Sequence, residues 1–166
     1  LSPVLAQESR RAEMLLQELQ DADPAQADRL QLQLIKEWSK SGSPAMDLLL
    51  TRGRDAMKTG KNDIAIGHLT ALTDHAPNFA EAYNGRATAY YQLGLYGPAI
   101  DDLRQVLVLE PRHFGAMTGV AVVLEELERP EDALEVWRKI EEFVPSDPEV
   151  AAMIERLQVQ LQGEAL

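Results

Sequence analysis

The chain contains no cysteine. That excludes disulfides, thiolate nucleophiles and thiolate metal sites, while leaving the compartment open, because reducing and oxidising locations both accept a cysteine-free chain. Aromatic residues make up only 5% of its 166 residues. Leu and Ala must therefore fill most of a core, which favours helices. No stretch approaches the roughly 18 uninterrupted apolar residues of a membrane span, so membrane insertion is not expected. Basic residues are scarce as well: 16 Lys and Arg stand against 27 Asp and Glu, a formal charge of −11. The imbalance deepens along the chain, with 12 acidic and 4 basic residues from Phe114 onward. A surface of this sign repels phosphate backbones and anionic headgroups, so a basic or amphipathic peptide is a better partner than nucleic acid or a membrane surface.

The residues that usually carry chemistry are isolated. None of His68, His75 and His113 lies four residues from another His, so no zinc-like spacing exists. They read as surface or packing residues. The acidic run Glu125, Glu126, Glu128, Glu131, Asp132 and Glu135 lacks the alternation and central Gly of a calcium loop and reads as a solvated helix face. There is no Gly-rich phosphate loop and no nucleophile elbow. No catalytic residue, metal or cofactor is expected.

What is present is a period. Pro77, Pro111 and Pro145 lie 34 residues apart, and so do Ala65, Ala99 and Ala133. Small residues Gly53, Ala87 and Ala121 keep the same step. Leu69, Leu103 and Trp137 follow in one apolar column, and Leu72, Val106 and Ile140 in another. Gly60 and Gly94 match too, although Glu128 breaks their column. At an average proline usage of about 5%, two further prolines at the required positions arise by chance roughly once in 400 trials. The parallel columns make coincidence rarer still. The stretch "NFAEAYNGRATAYYQLG" mixes small and aromatic side chains, as a helix pressed closely against a neighbour would.

With this period and these residue types the chain resembles the tetratricopeptide repeat (TPR) family, whose unit is a 34-residue helix-turn-helix. The resemblance covers residues 46–79, 80–113 and 114–147, and is closest in the second, through Tyr83, Ala87, Tyr90, Gly94, Ala99, Leu103 and Pro111. It implies an all-α, right-handed α-solenoid of three repeats acting as a non-catalytic protein-binding module. Two departures are Arg52 and Arg86, which stand where the family usually has an aliphatic residue. Each is expected to lie along a neighbouring helix and pair with a carboxylate.

Stacked repeats expose an apolar face at each end, which terminal elements normally cover. Over 148–166 a capping helix is expected, with Asp147 as its N-cap and Val150, Ile154, Leu157 and Leu161 on one stripe. Residues 1–43 carry two helical patterns outside the repeat columns. Leu5, Ala12, Leu15, Leu16 and Leu19 trace one stripe; Ala27, Leu30, Leu34, Ile35 and Trp38 trace the next, opened by Asp23-Pro24. The pair reads as a cap, with a degenerate repeat as the alternative, and everything forms one structural domain.

In TPR proteins the first helices of successive repeats line a concave groove that holds an extended or helical peptide. Matching positions here are Asp47, Leu50, Arg54 and Met57, then Glu81, Asn84, Thr88 and Tyr91, then Gly115, Thr118, Val122 and Glu125. Some members grip a partner's terminal carboxylate with Lys, Asn and Arg side chains from three repeats. Asn84 and Arg54 are present, but the third repeat supplies no basic groove residue, so that grip is not expected. Self-assembly through the groove or an open repeat edge, giving a homo-oligomer, is the competing reading.

The first residues bear on location. Val4 and Ala6 stand where a signal peptidase accepts small residues, so residues 1–6 read either as the tail of a secretory signal or as the start of the first helix. A looser similarity, through "KSGSP" and "PRHFGAMTGVAVVLEELERPEDALEVW", to small exported TPR proteins of Gram-negative bacteria implies a periplasmic setting, with the cytoplasm as the alternative.

Overall fold

The computed structural model describes the backbone of residues 3–164 and the side chains of residues 10–163. Among the described residues there are nine α-helices and no strand: α1 Pro3–Gln20, α2 Pro24–Trp38, α3 Pro44–Lys58, α4 Asn62–His75, α5 Ala80–Gln92, α6 Tyr96–Leu109, α7 Phe114–Glu126, α8 Pro130–Phe143 and α9 Pro148–Glu164. Residues 1 and 2 of the suggested signal remnant lie outside the described residues. The helices α4, α6 and α8 begin at 34-residue steps, and so do α5, α7 and α9. Stacked pairs of this kind form an all-α solenoid.

Local chemistry sets these boundaries. Pro24, Pro44, Pro130 and Pro148 open their helices, where a missing N–H leaves no bond unmade. Asp23 caps α2 in a reciprocal pair with Gln26, and the Asp147 carboxylate accepts from the Glu149 N–H at 2.8 Å at the head of α9. Pro77, Pro111 and Pro145 each follow a helix end and prevent its continuation. Within each repeat the first helix ends in one recurring turn. The N–H groups of Lys61, Leu95 and Arg129 donate back to the carbonyls of Ala56, Tyr90 and Leu124, each at 2.9 Å, across a left-handed residue. That residue is Gly60, Gly94 and, in the third repeat, Glu128, with φ of 72, 71 and 56°.

Small residues let the helices meet closely. A Cβ on Gly53 would stand 2.7 Å from Leu69 Cγ, and one on Gly119 would stand 2.9 Å from Leu103 Cδ2. The leucine columns occupy the room that these missing side chains leave. Ala65, Ala99 and Ala133 are fully buried, and Ala87 is nearly so. Leu69 and Leu72 centre the first core cluster, Leu103 and Val106 the second. Arg86 ties α5 to both flanking helices: Nε and Nη2 each donate to Asp102 on α6 at 2.7 Å, while Nη1 reaches Thr70 and Thr73 on α4. The hydrogen bonds to Asp102 raise the pKa of this guanidinium, against the opposing effect of burial. Arg52, by contrast, is exposed.

The third and largest cluster joins both ends of the chain. Ala12, Leu15, Leu16 and Leu19 from α1 and Ala27 and Leu34 from α2 share it with Phe114, Ala133, Trp137, Ile140, Val150, Ile154 and Leu157. The N-terminal pair therefore packs on the third repeat and its flank. Gln20 Nε2 donates to the Glu142 and Phe143 carbonyls at the end of α8, and Arg112 pairs with Glu13 on α1. Ile35, expected on the buried stripe of α2, is exposed instead, because Trp38 and Leu34 fill the inner face.

The turn column yields a stability test. A side chain in left-handed backbone costs about 1–2 kcal/mol. Glycine avoids that penalty but loses roughly 0.5–1 kcal/mol in entropy. Glu128→Gly is therefore expected to stabilise the fold by about 0.5–1 kcal/mol in chemical denaturation, whereas Gly94→Ala should lower its stability by about 1 kcal/mol.

Candidate functional site

Because α5 packs against both α3 and α7, while no comparable contact joins α4 with α6 or α6 with α8, the first helices line the inner curve of the stack. Between α5 and α7 the small residues Ala87, Gly115 and Gly119 leave a pocket of about 260 Å³. Its floor is apolar, made by Leu103 and Val123, and its walls carry Asn84, Thr88, Tyr91, Thr118 and Val122. Thr118 and Val122 also border a wider hollow of about 730 Å³ toward α9, lined by Phe114, Trp137, Val150 and Met153 and rimmed by Asp147, Glu149 and Gln31. The two spaces adjoin along α7, where Gly115, Thr118 and Val122 line both, and together make up a channel on the inner curve.

The groove positions read from the sequence fall into two groups. Asn84, Thr88, Tyr91, Thr118 and Val122 come together around the pocket. Gly115 lies at its base. The remainder are engaged elsewhere. Leu50 is 2% exposed within the first core cluster, against which the half-buried Met57 also packs. The Asp47 carboxylate accepts from the Ser41 N–H at 2.8 Å and the Ser41 hydroxyl at 2.6 Å, fastening the connection between α2 and α3. Glu125 accepts from Trp137 Nε1 at 3.2 Å and pairs with Arg156, beside a separate hollow that it shares with Pro130 and Leu157.

Glu81 is 1% exposed and sits in a buried polar junction that sequence reasoning did not reveal. Its two carboxylate oxygens receive His113 Nε2 at 2.6 Å and the Arg54 guanidinium. His113 also caps α7, its Nδ1 accepting from the Ala116 N–H at 3.0 Å. With Nδ1 accepting, Nε2 holds the proton and donates to Glu81. The Trp38 ring stacks on His113 with centroids 4.4 Å apart and planes 19° apart, and Arg54 Nη1 donates to the Ser39 hydroxyl at 3.0 Å. Arg54 of the first repeat, His113 and Asn84 of the second, and the end of α2 through Trp38 and Ser39 thus converge around the Glu81 carboxylate. Arg54 spends its charge there. Burial pushes the Glu81 carboxyl up, but the hydrogen bond from His113 and the charge of Arg54 outweigh it and hold the group below its ordinary value.

The end of α2 thereby closes one side of the channel. Trp38 covers His113 and also lies against Phe114, while Gln31 Nε2 bonds to Asp147 at 2.9 Å at the rim of the wider hollow. The only sequence hints were the aromatic at the end of the α2 stripe and a His just before the first residue of α7. Among the described residues no group of three or more His, Asp or Glu side chains is placed to hold a metal ion, and no helix is long and apolar enough to cross a membrane.

The tetratricopeptide repeat family model matches residues 50–103 and 93–148, more than half of the chain. The chain belongs to the tetratricopeptide repeat family. A TPR repeat-containing protein of Rhizobium etli is 30% identical over 155 residues, covering 93% of this chain and 76% of that protein. Solved TPR structures share the fold. The first TPR of Spaghetti, bound to an HSP90 peptide, superposes with a TM-score of 0.66 at 23% identity, covering 70% of this chain and 93% of that one. The Yersinia enterocolitica type III secretion chaperone SycD, in complex with a peptide of the translocator YopD, gives 0.66 at 18% identity, covering 71% and 95%.

The TPR junction at Glu81 makes stability depend on pH. Because the folded carboxyl titrates below its unfolded value near 4.5, its contribution is fully present above that value and is lost as pH falls through the lower, folded value. Replacing Glu81 by Gln should flatten this acid limb of the stability profile. At pH 7 it should also cost roughly 2 kcal/mol, less than the 3–5 of a fully buried pair because Arg54 keeps contact with water. Urea titrations at pH 7 and pH 4 measure both effects.

Proposed function

We propose that the chain is a non-catalytic interaction module that holds a peptide or protein partner in the channel over α7, in a periplasmic setting. The observation that carries the reading is the pocket between α5 and α7, with its apolar floor of Leu103 and Val123 and its polar walls of Asn84, Thr88 and Thr118. Such a site buries one apolar side chain while its rim orients a backbone. The peptides held by the Spaghetti TPR and by SycD support this use of the fold. The grip differs from a terminal-carboxylate clamp, since Arg54 is already neutralised by Glu81. The location rests on the similarity to small exported TPR proteins.

Self-association is a second reading, favoured by Leu32 and Ile35, which are 69% and 41% exposed one turn apart on α2. One experiment weighs both. Peptides selected from a random display library on the wild-type protein should bind with micromolar affinity, and Val122→Arg, which drives a long charged chain into the pocket, should weaken them at least tenfold, about 1.4 kcal/mol. Sedimentation of the same samples should show a monomer. Unchanged peptide affinity in Val122→Arg would remove the channel reading. Dimers dissociated by Ile35→Glu would favour the second.

A further inference from the structure

Glu126 closes α7 one turn beyond Val122 of the pocket, and two phenols hold its carboxylate. The Tyr91 hydroxyl donates to Oε1 at 3.2 Å and the Tyr96 hydroxyl donates to Oε2 at 3.3 Å. The two rings lie 5.8 Å apart at 37°. Tyr91 is at the same time a wall of the pocket, so the niche and the pocket are neighbours. Among the described residues no Lys or Arg forms an ion pair with Glu126, whereas the adjacent Glu125 is paired with Arg156. The negative charge of Glu126 is therefore oriented without being neutralised.

The surroundings reinforce its sign. The Tyr91 hydroxyl has its pKa raised by burial and then by Glu126 and Glu125, so it remains a protonated donor across the neutral range. The Tyr96 hydroxyl is raised in the same direction. Two aromatic rings beside a fixed carboxylate attract an organic cation through both ring quadrupole and charge. A metal ion is poorly served, because the neighbouring Glu125 is already paired with Arg156 and both phenols spend their protons on Glu126. An anionic or phosphorylated segment is repelled.

Resting on the channel reading above, we propose that this niche is a cation subsite. It receives the guanidinium or ammonium head of a peptide's Arg or Lys while an aliphatic side chain of the same peptide fills the pocket. The helices fix the register. Thr88 and Tyr91 on α5, and Val122 and Glu126 on α7, are one turn apart, which separates pocket and niche by about 5–6 Å. An extended peptide rises about 3.3 Å per residue and alternates its faces. The cation therefore stands two residues from the apolar anchor. This gives the acidic second half of the chain a defined counterpart.

The test uses fluorescein-labelled ten-residue synthetic peptides of Gly and Ser with a single Leu. Arg, Lys or neutral citrulline is placed two residues before or after that Leu. Affinities are measured by anisotropy on the full chain at low and moderate salt. Arg and Lys peptides should bind about tenfold tighter than their citrulline counterpart. In Glu126→Gln the preference should shrink to within about twofold, and it should weaken in salt. Equal binding of Arg and citrulline peptides by the wild type, or a preference that survives in Glu126→Gln, overturns the subsite and leaves the channel standing. If none of the peptides binds the wild type, charged or neutral, the channel reading fails and the subsite falls with it.

Discussion

The architecture depends on close approach between helices at positions where side chains are almost absent. Gly53 accepts Leu69, and Gly119 accepts Leu103, at separations that a single added methyl would close below 3 Å. With so few aromatic residues, the chain cannot fill wide gaps between helices. It brings them together instead, burying Leu and Ala columns that repeat every 34 residues. Dispersion contacts fall off steeply with distance, so this tight register gives the stack its definition as well as its cohesion.

The same economy produces the channel. Ala87, Gly115 and Gly119 let α5 and α7 meet without filling the space on the inner curve, and the unfilled volume becomes a pocket over Leu103 and Val123. Polar groups then divide the surface. Glu81 is satisfied internally by His113 and Arg54, which locks repeats together and removes the obvious basic groove residue from service. Glu126, held by Tyr91 and Tyr96 and with no ion pair among the described residues, keeps its charge available. The N-terminal pair adds a wall, with Trp38 stacked over His113 and Gln31 fastened to Asp147.

Features governed by short-range chemistry were legible in the sequence. The prolines, the Gly60 and Gly94 turns and the Asp147 cap each act within a few residues, and the structure uses them at those positions. Glu128 shows that the turn geometry is imposed by the stack even where the favoured residue is missing. Among the groove positions that the family resemblance implied, Asn84, Thr88, Tyr91, Thr118 and Val122 lie on a common surface, because every repeat presents its first helix in the same orientation. Periodicity is blind to depth, however, so Leu50 and Glu81 shared the pattern although they lie inside. Contacts between distant segments left no local trace. The seating of α1 and α2 on the third repeat, the exposure of Ile35 and the pairing of Glu81 with His113 all arise from how the solenoid curves back on its own N-terminus.

The central claim is that the inner curve, and not the outer surface, meets another molecule. Site-specific photo-crosslinking tests it most directly, with p-benzoylphenylalanine in place of Thr88 on the inner wall or Asp101 on the exposed outer face of α6. In native cells, covalent adducts with a different protein should form from position 88 and not from position 101. Adducts from position 101 alone, or adducts from position 88 only with a second copy of this chain, would contradict the account.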